Sequence, residues 1–185
     1  MANRPKIVTF PGWDDLDKRF EPYAVQLGWI AYSWNALHDA LGSLFWALTG
    51  SQNGNVPLAI WNSIPNDRTQ RGVLRAVAQT VLAGKETELR AVLWLLAAAD
   101  KFEDKRNDAL HTPFTFQIDP NDTRLVSKSY SGHKRALKLK DKELLPEFDG
   151  MAALFTYLRG MRCPFALRSV SPPILLGRPS QRCPN

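Results

Sequence analysis

The stretch KFEDKRNDALHTPFTFQI, Lys101 to Ile118, changes its period halfway along. Its first half continues a helical series that begins at Glu86, in which Leu89, Val92, Leu93, Leu96 and Ala97 recur at helical spacing. Thr112 precedes Pro113, whose ring disfavours the α region for the residue before it, so the helix ends at His111. Beyond the proline, FTFQI alternates apolar and polar residues, which is the period of a strand. A long helix that gives way to a short alternating segment predicts a mainly α-helical chain with a small β element inserted after this helix.

Upstream, Leu27, Ile30, Trp34, Leu37, Leu41, Leu44 and Leu48 mark a long first helix that starts after Pro22 and closes at Gly50. VPLAIWNSI reads as a short helical piece ended by a turn around Pro65. From Asp67 to about Leu82, the positions Val73, Leu74, Val77, Ala78 and Val81 predict a second helix, with Gly84 placed where helices end. Residues 1–21, with Pro5, Pro11 and Gly12, show no sustained period and read as an irregular arm. The helical domain then covers residues 22–162.

Downstream of FTFQI, DPND is a turn signal, and RLVSKSY and HKRALKLK read as further strands, giving a β-hairpin or meander over about 114–140. Leu144, Phe148, Met151 and Leu154 restore helical spacing, with Pro146 in the first turns. The remainder, 163–185, has five prolines, three arginines and no acidic residue, and reads as a basic tail without a regular element.

A chain of 185 residues suits one domain with a substantial core. The hydrophobic content of 44%, with nine Phe, six Trp and four Tyr, excludes wholesale disorder. The six tryptophans fall mostly at helical apolar spacing and read as core residues rather than base-stacking platforms. Cys163 and Cys183 have no CxxC or Cys/His spacing, so a disulfide framework and a zinc site are not indicated and a reducing compartment fits. No signal-peptide core or membrane span is visible, which points to a soluble, cytoplasmic protein with no membrane partner. No cofactor motif or metal-ligand spacing is visible either.

The net charge of +6 favours a polyanionic partner without identifying one. Arg68, Arg71 and Arg75 follow at i, i+3 and i+7, so they could hold an RNA backbone on one helical face, or form a solvated face instead. Between Arg124 and Lys142 there are seven Lys or Arg residues and one acid, Asp141. Lys134 and Arg135 in this region are candidate RNA contacts, or lysine-rich protection of an edge strand. His38 follows Trp34 on the first helix and reads as a satisfied, partly buried histidine, whereas His133 reads as solvent-facing.

The sharpest candidate is Arg106, Asn107 and His111. With 14 arginines and three histidines, about 0.7 matches to an Arg-to-His spacing of this kind are expected by chance, so the spacing alone carries little. Its context narrows it: an Asn follows the Arg, and a proline two residues past the His fixes the helix end. Asn107 and His111 share a helical face, so the amide could orient the imidazole, and Arg106 could curl towards a ligand at that end. A histidine in the last turn sits at the negative end of the helix dipole, a setting that suits a proton donor. The same residues also allow a structural role, with Arg106 paired to Glu103 one turn earlier and His111 capping the last carbonyls.

In KRNDALHT the chain resembles the HEPN superfamily, helical domains whose signature is an Arg, usually followed by a polar residue, and a His four to six residues later at a helix end. The resemblance implies a HEPN-like bundle that pairs as a homodimer through the motif face. It also implies metal-independent RNA cleavage in active members, with Arg106, Asn107 and His111 as the site residues and no cofactor. Toxin–antitoxin or antiviral defence settings, and an inhibitory protein partner, follow from the same resemblance. The non-catalytic alternative is an RNA-binding or scaffolding module on the same architecture.

Overall fold

The computed structural model describes residues 11–119 and 122–160. Within them the chain is mainly helical with one two-stranded antiparallel hairpin, as the change of period at Pro113 predicts. The tail at 163–185 and residues 1–10 of the arm lie outside the described residues.

Helix α1, Trp13–Thr49, is the spine, about 55 Å long at 1.5 Å per residue. It begins nine residues before the expected boundary at Pro22. Asp14 and Asp15 in its first turn complement the positive end of the helix dipole. Pro22 removes one backbone donor where the helix surface is exposed, so water can satisfy the carbonyl that loses its partner. The buried face runs Ile30, Ser33, Trp34, Leu37, His38, Leu41, Leu44, Phe45 and Leu48, and Gly50 closes the helix in the left-handed conformation at φ 67°.

Helix α2, Asn55–Ser63, turns Trp61 onto α1 at Gly42, where a side-chain β-carbon would stand 2.9 Å from the indole. Helix α3, Asp67–Val81, starts at an N-cap, Asn66, whose Oδ1 accepts from Thr69 N at 2.9 Å. It buries Arg71, Leu74 and Ala78. Helix α4, Glu86–His111, follows and ends where Pro113 requires.

Strand β1, Phe114–Asp119, pairs antiparallel with β2, Asp122–Ser127, from Phe114 against Ser127 to Asp119 against Asp122. Leu125 enters the core, and the Phe114 and Phe148 rings meet edge to face at 5.8 Å. HKRALKLK is not a strand. Lys134–Lys138 forms a short helix, α5, because His133 Nδ1 accepts from Ala136 N and Asp108 on α4 draws Arg135 and Lys138 to the same side. A helix, not an extended segment, brings i and i+3 together in this way.

Helix α6, Leu144–Gly160, carries Pro146 in its first turn and lies along α1. Leu145, Pro146 and Asp149 share a shallow groove with Pro22, Val25 and Gln26, and Thr156 Oγ1 lies 3.4 Å from Ser33 Oγ, so the two helices run in the same direction. The tryptophans divide: Trp34 and Trp61 are core residues, whereas Trp13, Trp29 and Trp94 are exposed, which corrects the expectation that helical spacing places most of them inside. No described helix is long and apolar enough to cross a membrane.

Candidate functional site

The charged second half of α4 exposes Lys101, Asp104 and Lys105 but turns its other charged side inward. Between Ala99 and Asp108 no residue of α4 is fully buried, and Asp100, Glu103 and Arg106 instead face a polar junction with α1 and α3. Three-residue steps carry the inward face of Val92, Leu96 and Ala99 on into these polar residues.

Arg71 is the centre of the junction and is 0% exposed. Its Nε donates to Asp100 Oδ1 at 2.7 Å and its Nη2 to Glu103 Oε2 at 2.6 Å. Arg75 adds a bond from Nη2 to Asp100 Oδ2 at 2.7 Å. Bonds from the two arginines hold the Asp100 carboxyl below the usual carboxylate range, against the opposite and individually larger pull of burial.

The third donor of Arg71 fixes a histidine tautomer. Arg71 Nη1 lies 3.3 Å from His38 Nε2, and since a guanidinium can only donate, Nε2 is the acceptor. Nδ1 therefore carries the proton and donates to Gln70 Oε1 at 3.2 Å; Gln70 Nε2 in turn donates to the Trp61 carbonyl at 3.0 Å. Burial lowers the His38 pKa from 6.5, and the neighbouring Asp67 opposes that shift without cancelling it. His38 is thus a neutral, satisfied, buried histidine, as its place beside Trp34 predicts.

Trp34 lies at the middle of this arrangement. Its Nε1 donates to Asp67 Oδ2 at 2.7 Å, and the guanidinium carbons of Arg71 and Arg106 lie 5.6 and 5.7 Å from its ring centroid, within cation–π range. Arg106 is half-buried and donates from Nη1 to Asn107 Oδ1 at 2.8 Å. Its Nε is buried without an acceptor, and among the described residues it has no carboxylate partner. Glu103, the partner expected one turn earlier, belongs to Arg71 instead.

His111 is exposed in the last turn of α4 and makes no hydrogen bond among the described residues. Asn107 therefore orients Arg106 and not His111, which corrects the expected amide–imidazole contact. Asn107 has one acceptor oxygen next to a five-donor guanidinium, and the neighbouring residue is nearer than a side chain a full turn away.

The expected arginine face on α3 is also corrected. Arg68 is exposed, Arg71 is buried and Arg75 is tied to Asp100, because Arg71 shares the core face with Leu74 and Ala78. A fully buried guanidinium cannot grip an RNA backbone. In the basic region, Lys134 is exposed, but Arg135 Nη1 donates to the buried Asp108 at 3.0 Å. Arg124 pairs with Glu143 at 2.9 Å and Lys142 with Glu147 at 2.8 Å, so part of that positive charge is neutralised within the fold. The missed residues are Trp34, Asp100 and Glu103; the legible signal was the run of three- and four-residue steps from Leu96 through Asp100 and Glu103 to Arg106 in LAAADKFEDKR.

No protein-family model, curated protein or solved structure matches the chain.

Proposed function

We propose that the protein is a metal-independent endoribonuclease of the HEPN type. The observation that carries this reading is the pairing of a half-buried Arg106, without a carboxylate partner among the described residues, with an exposed His111 five residues later at a helix end. An arginine in that state is an anion receptor, and it can grip two phosphate oxygens at once.

In the proposed reaction the RNA supplies its own nucleophile. A ribose 2′-oxygen forms a bond to the adjacent phosphorus while a histidine accepts the 2′-hydroxyl proton; the bond to the 5′-oxygen breaks and a second histidine protonates the leaving oxygen. The products are a 2′,3′-cyclic phosphate and a 5′-hydroxyl. Arg106 stabilises the charge that develops on the equatorial oxygens. One protomer offers one exposed motif histidine, so a two-fold homodimer through the motif face supplies His111 twice, as base and as acid. Such an enzyme fits a cytoplasmic toxin–antitoxin or antiviral setting with an inhibitory protein partner.

One observation favours the non-catalytic module: Asn107 engages Arg106, leaving His111 without an orienting partner among the described residues. Incubating wild type, Arg106→Ala and His111→Ala with single-stranded RNA in excess EDTA separates the two readings. Cleavage by wild type alone, with cyclic-phosphate ends, is the expected result. RNA binding without cleavage favours the module, and cleavage by both variants removes the site assignment.

A further inference from the structure

We propose that Arg71 is a positioning residue for Arg106: its buried ion pairs occupy Glu103 and Asp100, and so hold the Arg106 guanidinium free of carboxylates for an RNA phosphate. The phosphate half of this inference rests on the ribonuclease reading above; the partition of carboxylates does not.

Glu103 stands three residues before Arg106 on α4, a spacing at which a helical ion pair ordinarily forms. It does not form here. Arg71 arrives from α3, fully buried, and donates to Glu103 Oε2 at 2.6 Å and to Asp100 Oδ1 at 2.7 Å. Without both carboxylates that guanidinium would be an uncompensated charge in the interior, whereas Arg106 is only half-buried and tolerates the lack of a partner better. Arg75 strengthens the hold on Asp100. The third carboxylate of the junction, Asp67, is engaged by the Trp34 indole at 2.7 Å.

The carboxylates are thus distributed, and Arg106 receives none of them. The guanidinium carbons of Arg71 and Arg106 lie 5.6 and 5.7 Å from the centroid of the same indole, but only Arg71 is compensated by carboxylates, so an anion that reaches Arg106 supplies its missing counter-charge. Its buried Nε has no acceptor among the described residues. Arg71 never touches RNA in this scheme; it acts by deciding which arginine owns Glu103.

The test uses the full chain as wild type, Arg71→Gln, Glu103→Gln and the double variant, with folding followed by circular dichroism. Phenylglyoxal labelling and peptide mass mapping read the freedom of the Arg106 guanidinium, and a fluorescein-labelled single-stranded RNA reads affinity. In Arg71→Gln the released Glu103 captures Arg106, so labelling of Arg106 slows about threefold or more, and the double variant restores it. RNA affinity falls about tenfold in Arg71→Gln and recovers in the double variant. Glu103→Gln alone leaves Arg106 labelling at the wild-type rate, and it keeps the proposal open to refutation if Arg71→Gln does not fold. Equal labelling of Arg106 in wild type, a folded Arg71→Gln and the double variant overturns the proposal, as does faster labelling in Glu103→Gln. A wild type that binds no RNA while the labelling pattern holds removes the ribonuclease reading and leaves the partition of carboxylates standing.

Discussion

Trp34 Nε1 donates to Asp67 Oδ2 at 2.7 Å, joining the middle of α1 to the first residue of α3. The bond also holds the indole within cation–π distance of two guanidinium groups. Trp34→Phe keeps an aromatic ring but deletes the donor, and is expected to cost about 1 kcal/mol, because Asp67 is partly exposed and water replaces much of the lost bond. The urea unfolding midpoint of the variant against wild type checks this.

Two glycines of α1 should respond to alanine with opposite signs. At Gly28 nothing lies within 4 Å of the point a β-carbon would occupy, so Gly28→Ala gains helix propensity and stabilises by about 1 kcal/mol. At Gly42 the same atom meets the buried Trp61 ring at 2.9 Å, so the gain is opposed by overpacking of about 1–3 kcal/mol and the net effect is destabilising. Thermal midpoints of the two variants, measured together, give the comparison.

His38 makes stability depend on pH near neutrality. Burial lowers its folded pKa from 6.5, with Asp67 pulling the other way and Arg71 and Arg106 adding to the decrease. The unfolded chain takes up a proton near 6.5 that the folded protein declines, so this contribution is complete above that pH and is lost as pH falls through 6.5 towards the folded value. The slope cannot exceed about 1.4 kcal/mol per pH unit for one proton. Urea unfolding between pH 8 and 5 should show this loss in wild type and a flatter profile in His38→Gln.

Lys134 and Arg135 are adjacent and play different parts. Lys134 is exposed and free of ion pairs among the described residues, whereas Arg135 compensates the buried Asp108 together with Lys138. Arg135→Ala is expected to destabilise by about 1–2 kcal/mol, and Lys134→Ala to leave stability within about 0.5 kcal/mol. If Arg135→Ala is neutral while Arg135 and Lys134 variants weaken RNA binding equally, both side chains serve as surface contacts.

Asn107→Ala removes the acceptor that holds Arg106 Nη1 at 2.8 Å. The guanidinium survives but samples more orientations, so under the proposed ribonuclease reading RNA cleavage is expected to fall about tenfold in kcat/KM, well short of the loss in Arg106→Ala. Initial rates in EDTA check the order of the two variants.

The long helices, the end of α4 and the hairpin were legible because each rests on local physics: apolar residues at helical steps, Gly84 just past α3, Pro113 as a stop and FTFQI as an alternating strand. Two errors came from competition that local signals do not show. Pro22 marks a helix boundary only where its lost backbone bond matters, and on the exposed early turns of α1 it does not. HKRALKLK alternates like a strand, but Asp108, 26 residues before Lys134 and on another helix, draws its cations to one side as α5.

The same distinction applies to the candidate site. Sequence alone was enough to place Arg106 and His111 near the end of one helix, since a proline and a helical period are sufficient for that. Which carboxylate belongs to which arginine was decided only by the tertiary structure. Glu103 is three residues from Arg106 in the chain and 32 from Arg71, but packing α3 against α4 buries Arg71 completely, and a buried guanidinium takes the carboxylates that a half-buried one can do without.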